Sequence, residues 1–133
     1  MSVRVVDRSA QAIAIIRRAA RDGVAQGGLI IEAEAKRLLG LKGPGVRSLP
    51  GEPPAVQTGN LRRSMATEVE ERGNVIAAQI GPQADYGAHL ELGTATMAPR
   101  PFLRPALDEK AAEATKAIRD SIANAIRAVP GVV

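Results

Sequence analysis

Between Gly40 and Gln57 the chain reads G-L-K-G-P-G-V-R-S-L-P-G-E-P-P-A-V-Q, with four glycines and four prolines. Proline removes a backbone donor and glycine costs chain entropy, so neither a helix nor a central strand tolerates this composition. Regular structure must therefore come from the segments on either side, joined by a long loop. Loops of this length without internal structure are uncommon in compact domains, and are usually functional or disordered.

Upstream, Ile13, Ile16, Ala20, Val24, Ile31, Ala35 and Leu38 recur at spacings of three, four and seven. That pattern predicts one long helix from about Ser9 to Leu39 with a single apolar face. Asp7 or Ser9 serves as its N-cap and Gly40 as its C-terminal glycine. Gly27 and Gly28 interrupt the run at a cost of roughly 1 kcal/mol each relative to alanine. Their presence predicts either a kink or a close approach by another element.

Downstream, Thr58 opens a short helix over Gly59–Met65. Ala66–Arg72 and Asn74–Ile80 read as two strands joined at Gly73. In the second strand Ile76, Ala78 and Ile80 share one face and Val75, Ala77 and Gln79 the other, so one face is expected to pack against the helices. Glu68, Glu70 and Glu71 give the first strand an acidic outer face, as expected of an edge strand guarded by charge. A short helix over Ala84–Leu92 stops at Gly93, and an extended segment, Thr94–Leu103, leads to the last element. From Pro105 to Val129 the residues Leu107, Ala111, Ala114, Ile118, Ile122, Ile126 and Val129 trace a second helical stripe, with Asp108 and Glu109 complementing its dipole. The expectation is an α+β fold: a long N-terminal helix, a Pro/Gly-rich loop, a small antiparallel sheet, a short helix and a long C-terminal helix.

A length of 133 residues fits one domain over 1–133, with 40–57 as a mobile loop and 130–133 as a tail. Hydrophobic residues are 45% of the chain but aromatics only 2%, so the core must be made of Ala, Val, Ile and Leu. An aromatic side chain buries roughly 150–250 Å², and a chain with one Tyr and one Phe has little to gain that way. Part of its stability is expected to come from a partner. Both aromatics, Tyr86 and Phe102, fall in Tyr86–Pro105, with the only histidine, His89, and three of the nine prolines, Pro99, Pro101 and Pro105. Shape-setting residues are concentrated there.

Catalytic constellations are missing. With no cysteine and one histidine, thiolate nucleophiles, disulfides, cysteine-ligated metals and paired-histidine sites within one chain are excluded. His89 reads as an ordinary polar residue. Asp85 and Glu91, six apart on a helix, do not share a face for acid–base work. No phosphate-cradling glycine motif is present. The expectation is a non-enzyme without metal or cofactor. The N-terminus lacks a signal-peptide core and no apolar run approaches a membrane span, which fits a soluble protein made in the cytoplasm with no membrane partner.

The net charge of +4 is unevenly spread: residues 1–50 carry +5, residues 51–100 carry −2 and residues 101–133 carry +1. A basic N-terminal half suits either a solvated helix face or an acidic partner, nucleic acid included. Arg62-Arg63 can contact phosphates or the carboxylates of a neighbouring subunit.

Two segments, P-G-E-P-P-A-V-Q-T-G-N-L-R-R-S-M at Pro50–Met65 and D-Y-G-A-H-L-E-L-G-T followed by R-P-F-L-R-P-A-L at Asp85–Leu107, together resemble the minor tail components, or neck and tail-completion proteins, of long-tailed phages and prophages. Gly87 and Leu92 depart from that pattern, where relatives often carry Ala and an aromatic. The resemblance implies a virion protein at the head–tail junction or the top of the tail, made in the host cytoplasm. It would act as a ring subunit, hexameric by the same resemblance, touching tail-tube or head-closure proteins and DNA in the channel. Arg62, Arg63, Tyr86, Glu91, Arg100, Phe102 and Arg104 are the expected interface residues, the arginines pairing with carboxylates such as Glu91 within or across subunits. A second reading is a small basic DNA-binding or packaging accessory protein.

Overall fold

Apolar periodicity at both ends of the chain and a glycine turn between two β-prone runs yield the expected mixed fold. The computed structural model describes residues 1–41, 48–53, 60–83, 91–95 and 99–129. Its elements are α1 (Ser9–Leu39), α2 (Asn60–Arg63), β1 (Met65–Arg72), β2 (Val75–Pro82) and α3 (Leu103–Ala128). The short helix expected over Ala84–Leu92 lies outside the described residues except for Glu91 and Leu92, which are helical, and Gly93 follows with φ +78°. The Thr58 cap also lies outside them, as do the loop residues 42–47 and 54–59 and the tail 130–133.

α1 begins and ends where its periodicity predicts. Arg8 occupies the N-cap position without a side-chain bond, while Asp7 Oδ1 accepts the Ser9 N–H at 2.8 Å. That bond holds the Asp7 carboxyl below its usual range. At 31 residues the helix is about 46 Å long, and α3 runs antiparallel beside it.

The seam between these helices differs from the expected stripe. The buried line on α1 is Ala19, Gly23, Gly27 and Gly28, then Glu34, Ala35, Leu38 and Leu39, whereas Ile13 is exposed and Ile16, Ala20, Val24 and Ile31 are half-buried. On α3 the buried residues are Ala106 and Ala114, with Leu107, Ala111 and Ile126 exposed. Small residues let the two backbones come close. A Cβ on Gly23 would stand 2.9 Å from Ile118 Cα, and one on Gly27 would stand 3.2 Å from Ala114 O. Ser121 Oγ also donates to Ala19 O at 2.7 Å. Gly28 faces the sheet, where a Cβ would lie 2.5 Å from Thr67 Cγ2. The glycines therefore mark close approach inside an unbroken helical run.

β1 and β2 pair antiparallel, with Arg72 opposite Val75 and Met65 opposite Pro82. The connecting turn is Gly73-Asn74, with Gly73 at φ +55° and no positive φ at Asn74. Glycine first and a negative φ second is the sign pattern of a type II′ turn. Ile76, Ala78 and Ile80 face the helices as expected. Glu68 and Glu70 point outward, but Glu71 is opposite Ile76 on the helix side, where its carboxylate stands 3.7 Å from Arg21.

The main core gathers Ala35, Leu38, Leu39, Leu61, Met65, Phe102 and Ala106. It sits where the end of α1, α2, the start of β1 and the start of α3 converge. α2 is shorter than predicted because Met65 already belongs to β1.

Candidate functional site

Pro/Gly chain enters this convergence from two directions. From the loop, Ser48–Pro53 makes a turn; Glu52 Oε2 accepts the Leu49 N–H at 3.0 Å and the Glu52 N–H donates to Leu49 O at 3.1 Å. From the other side comes Pro99–Phe102, in which Pro99 and Pro101 restrict φ and lower the entropy lost on ordering. The two are stitched together. Gly51 N–H donates to Pro99 O at 2.9 Å, and Arg100 Nε donates to Ser48 Oγ at 2.8 Å. Arg100 Nη2 also reaches Ser48 O at 3.3 Å, and Ser48 is buried.

Glu91 closes the other side of the junction. Its Oε2 accepts the N–H groups of Phe102 and Leu103 at 2.7 and 3.0 Å, and Oε1 accepts that of Arg104 at 2.9 Å. These are orphan donors of the first turn of α3, and Pro105 has no N–H to add to them. The dipole of α3 is thus met by Glu91 rather than by Asp108 and Glu109, which lie beyond the first turn. Asp108 instead receives Arg104 Nε at 3.1 Å.

The expected interface residues separate into distinct roles. Phe102 is 0% exposed and offers no surface to a neighbour. Glu91 holds backbone N–H groups of Phe102, Leu103 and Arg104 in its own chain. Arg100 ties two loops together, and Arg104 pairs with Asp108 within its own helix. Arg62 and Arg63 are exposed in the last turn of α2, Arg62 close to Gly40 at the end of α1. Tyr86, with Asp85 and His89, lies outside the described residues.

Sequence reasoning passed over Ser48 and Glu34. No local pattern signals Ser48, whose partner is 52 residues away. Glu34 is buried, and its carboxylate receives Arg37 Nη2 at 2.6 Å and Arg37 Nε at 3.0 Å. The Arg37 hydrogen bonds hold the Glu34 carboxyl below its ordinary value, with Lys110 of α3 adding to the effect. Arg37 is raised in return. An E-x-x-R spacing in the last turns of α1 was the available signal.

Among the described residues no group of three or more His, Cys, Asp or Glu is placed to hold a metal ion. No helix among them is long and apolar enough to cross a membrane. Compared with protein-family models, curated proteins and solved structures, the chain matches none. What this geometry can do chemically is bind and brace: it fixes two loops and a helix start against one core.

Proposed function

We propose that the chain is a virion structural protein at the head–tail junction or the top of the tail of a long-tailed phage or prophage, working as a ring subunit in tail completion. The observation that carries this reading is the junction itself. The two segments whose sequence resembles tail-completion proteins are separate in the chain, yet Gly51 bonds to Pro99, and Leu61 and Met65 share a core with Phe102 and Ala106. They form one structural unit, which supports reading them as a single matched region.

Exposed apolar side chains among the described residues fit an assembled state. Leu49 and Leu92 are 63% and 77% exposed, and a ring completes such burial through heterologous contacts that close on themselves. Electron microscopy of particles induced from a strain lacking the gene tests the reading. Filled heads and separate, unjoined tails are expected. Normal infectious particles would overturn it.

A second reading, duplex DNA binding, draws on the exposed Arg8, Arg17 and Arg18 at the start of α1. It predicts binding by the isolated chain that weakens steeply with salt, and no binding at low salt removes it.

A further inference from the structure

Two unpartnered features on the N-terminal side match each other. The first is the arm ahead of α1. Met1–Arg8 has no secondary structure, and Val3 and Val5 are 90% and 92% exposed. Its S-V-R-V-V run sets β-branched residues around Arg4, a composition suited to a strand.

The second feature is the outer edge of β2. The two-residue turn makes Arg72–Val75 the closing hydrogen-bonded pair, and the same parity returns at the far end, where Gln83 N–H donates to Ser64 O at 2.9 Å. This alternation turns the N–H and C=O groups of Ile76, Ala78 and Ile80 away from β1, and no described strand pairs with them. Natural edges are protected by charge or proline. β1 carries Glu68, Glu70, Glu71 and Arg72, but Val75–Gly81 has neither charge nor proline. A cleft of about 240 Å³ runs beside Ile76, walled by Ile13, Ile16 and Ala20 of α1, and among the described residues none of β1 lines it.

We infer that Ser2–Val6 of one copy adds as a third strand to the free edge of β2 in a second copy, with Val3 and Val5 turned toward the Ile13–Ile76 cleft. Main-chain bonds supply affinity and the two valines supply register, as in other strand additions. Arg4 then falls on the outer face of the sheet, where Glu70 is already paired with Arg72 at 2.8 Å and Glu68 is the carboxylate that faces it. A second copy is the occupant because Val3 and Val5 stand almost fully exposed in their own chain. To reach its own edge the arm would also have to reverse direction beside Asp7, whose carboxylate is bonded to the Ser9 N–H at the start of the helix. The contact deepens the ring reading by naming one of its joints, and it stands on the arm and the edge alone.

The chain has no cysteine, so single thiols report the contact cleanly. Full-length Arg4→Cys protein, mixed under mild oxidation with a size-tagged Ala77→Cys chain or its register neighbours Val75→Cys and Gln79→Cys, is expected to give a mixed disulfide. A Glu113→Cys chain, exposed on α3, is expected to give none. Removing residues 2–6, which leaves the Asp7 bond to the Ser9 N–H in place, is expected to return the chain to monomer mass by light scattering, with its circular dichroism unchanged. Failure of every Arg4→Cys pairing, association unaffected by the deletion, or a link closing within one monomeric Arg4→Cys/Ala77→Cys chain would each overturn the inference. Cross-linking alongside normal particles from the gene-deleted strain removes the tail role and leaves the strand exchange standing. Unjoined tails together with unchanged association of the arm-deleted chain do the reverse.

Discussion

The Glu91 carboxylate accepts the backbone N–H of Phe102 at 2.7 Å, across eleven residues of sequence. The same carboxylate holds Leu103 and Arg104, so one side chain from outside the helix satisfies three donors of its first turn. Phe102 is the largest fully buried side chain in the described core, and its placement depends on where α3 begins. Glu91→Ala is expected to cost about 1.5–3 kcal/mol, the range of hydrogen bonds to a charged group, or roughly 5–15 °C in Tm for a chain of this size. Glu91→Gln keeps one acceptor oxygen and loses less. Thermal unfolding followed by circular dichroism checks both, and an unchanged Tm for Glu91→Ala would remove the capping role.

Arg100 joins the loop at Ser48 to the segment entering α3, while Gly51 and Pro99 hold a backbone bond beside it. Losing the guanidinium leaves Ser48 Oγ buried without this donor, at a cost of about 1–3 kcal/mol. Arg100→Ala is expected to speed hydrogen exchange at Gly51 by about tenfold or more, since a local opening free energy lower by 1.4 kcal/mol gives that factor. Arg100→Lys does not rescue it, because one ammonium cannot reproduce the guanidinium fork. Protection at Gly51 equal to the parent's would show that the loop is held by something else.

At Gly23 α1 and α3 approach closely, its missing Cβ 2.9 Å from Ile118 Cα and 3.1 Å from Ser121 Cβ. Alanine there gains about 1 kcal/mol of helix propensity but forces backbone apart, and overpacking costs about 1–3 kcal/mol. The Ile118 backbone cannot rotate away as a side chain can, so the steric effect wins. Gly23→Ala is expected to lower the denaturant midpoint, while Gln26→Ala, on the exposed face, leaves it level or higher. A stabilised Gly23→Ala would mean that the helices separate freely at this point.

That seam also shows where sequence was legible. Helix ends are local matters of propensity and capping, and Ser9 and Leu39 bound α1 as the pattern predicts. The alternation of Ile76, Ala78 and Ile80 likewise placed the inner face of the sheet. Which helical face is buried is less legible, because large apolar residues mark the expected stripe. Close helix contact selects the smallest residues, so the seam follows Ala19, Gly23 and Gly27 while Ile13 stays outside. Glu91 is expected at an interface rather than as a cap because capping groups ordinarily lie within about three residues of their donors, and its donors are eleven to thirteen away. Ser48 and Arg100 meet only once the whole chain has folded.

Glu34 carries the pH dependence that the structure makes explicit. Hydrogen bonds from Arg37 depress its folded-state pKa below the ordinary glutamate value of roughly 4.3. A depressed carboxylate contributes stability that is fully present above the unfolded value and is lost as pH falls through the folded one. Tm is therefore expected to hold from neutral pH down to about 5 and to fall below roughly 4.3 as Glu34 takes up its proton. Arg37→Met removes the partner, raises the Glu34 pKa and leaves a buried carboxylate unpaired. That variant is expected to be less stable at pH 7 and to lose less stability on acidification, so its melting profile approaches the parent's at low pH. Parallel profiles for the two proteins across this range would show that the Glu34–Arg37 pair does not couple folding to protonation.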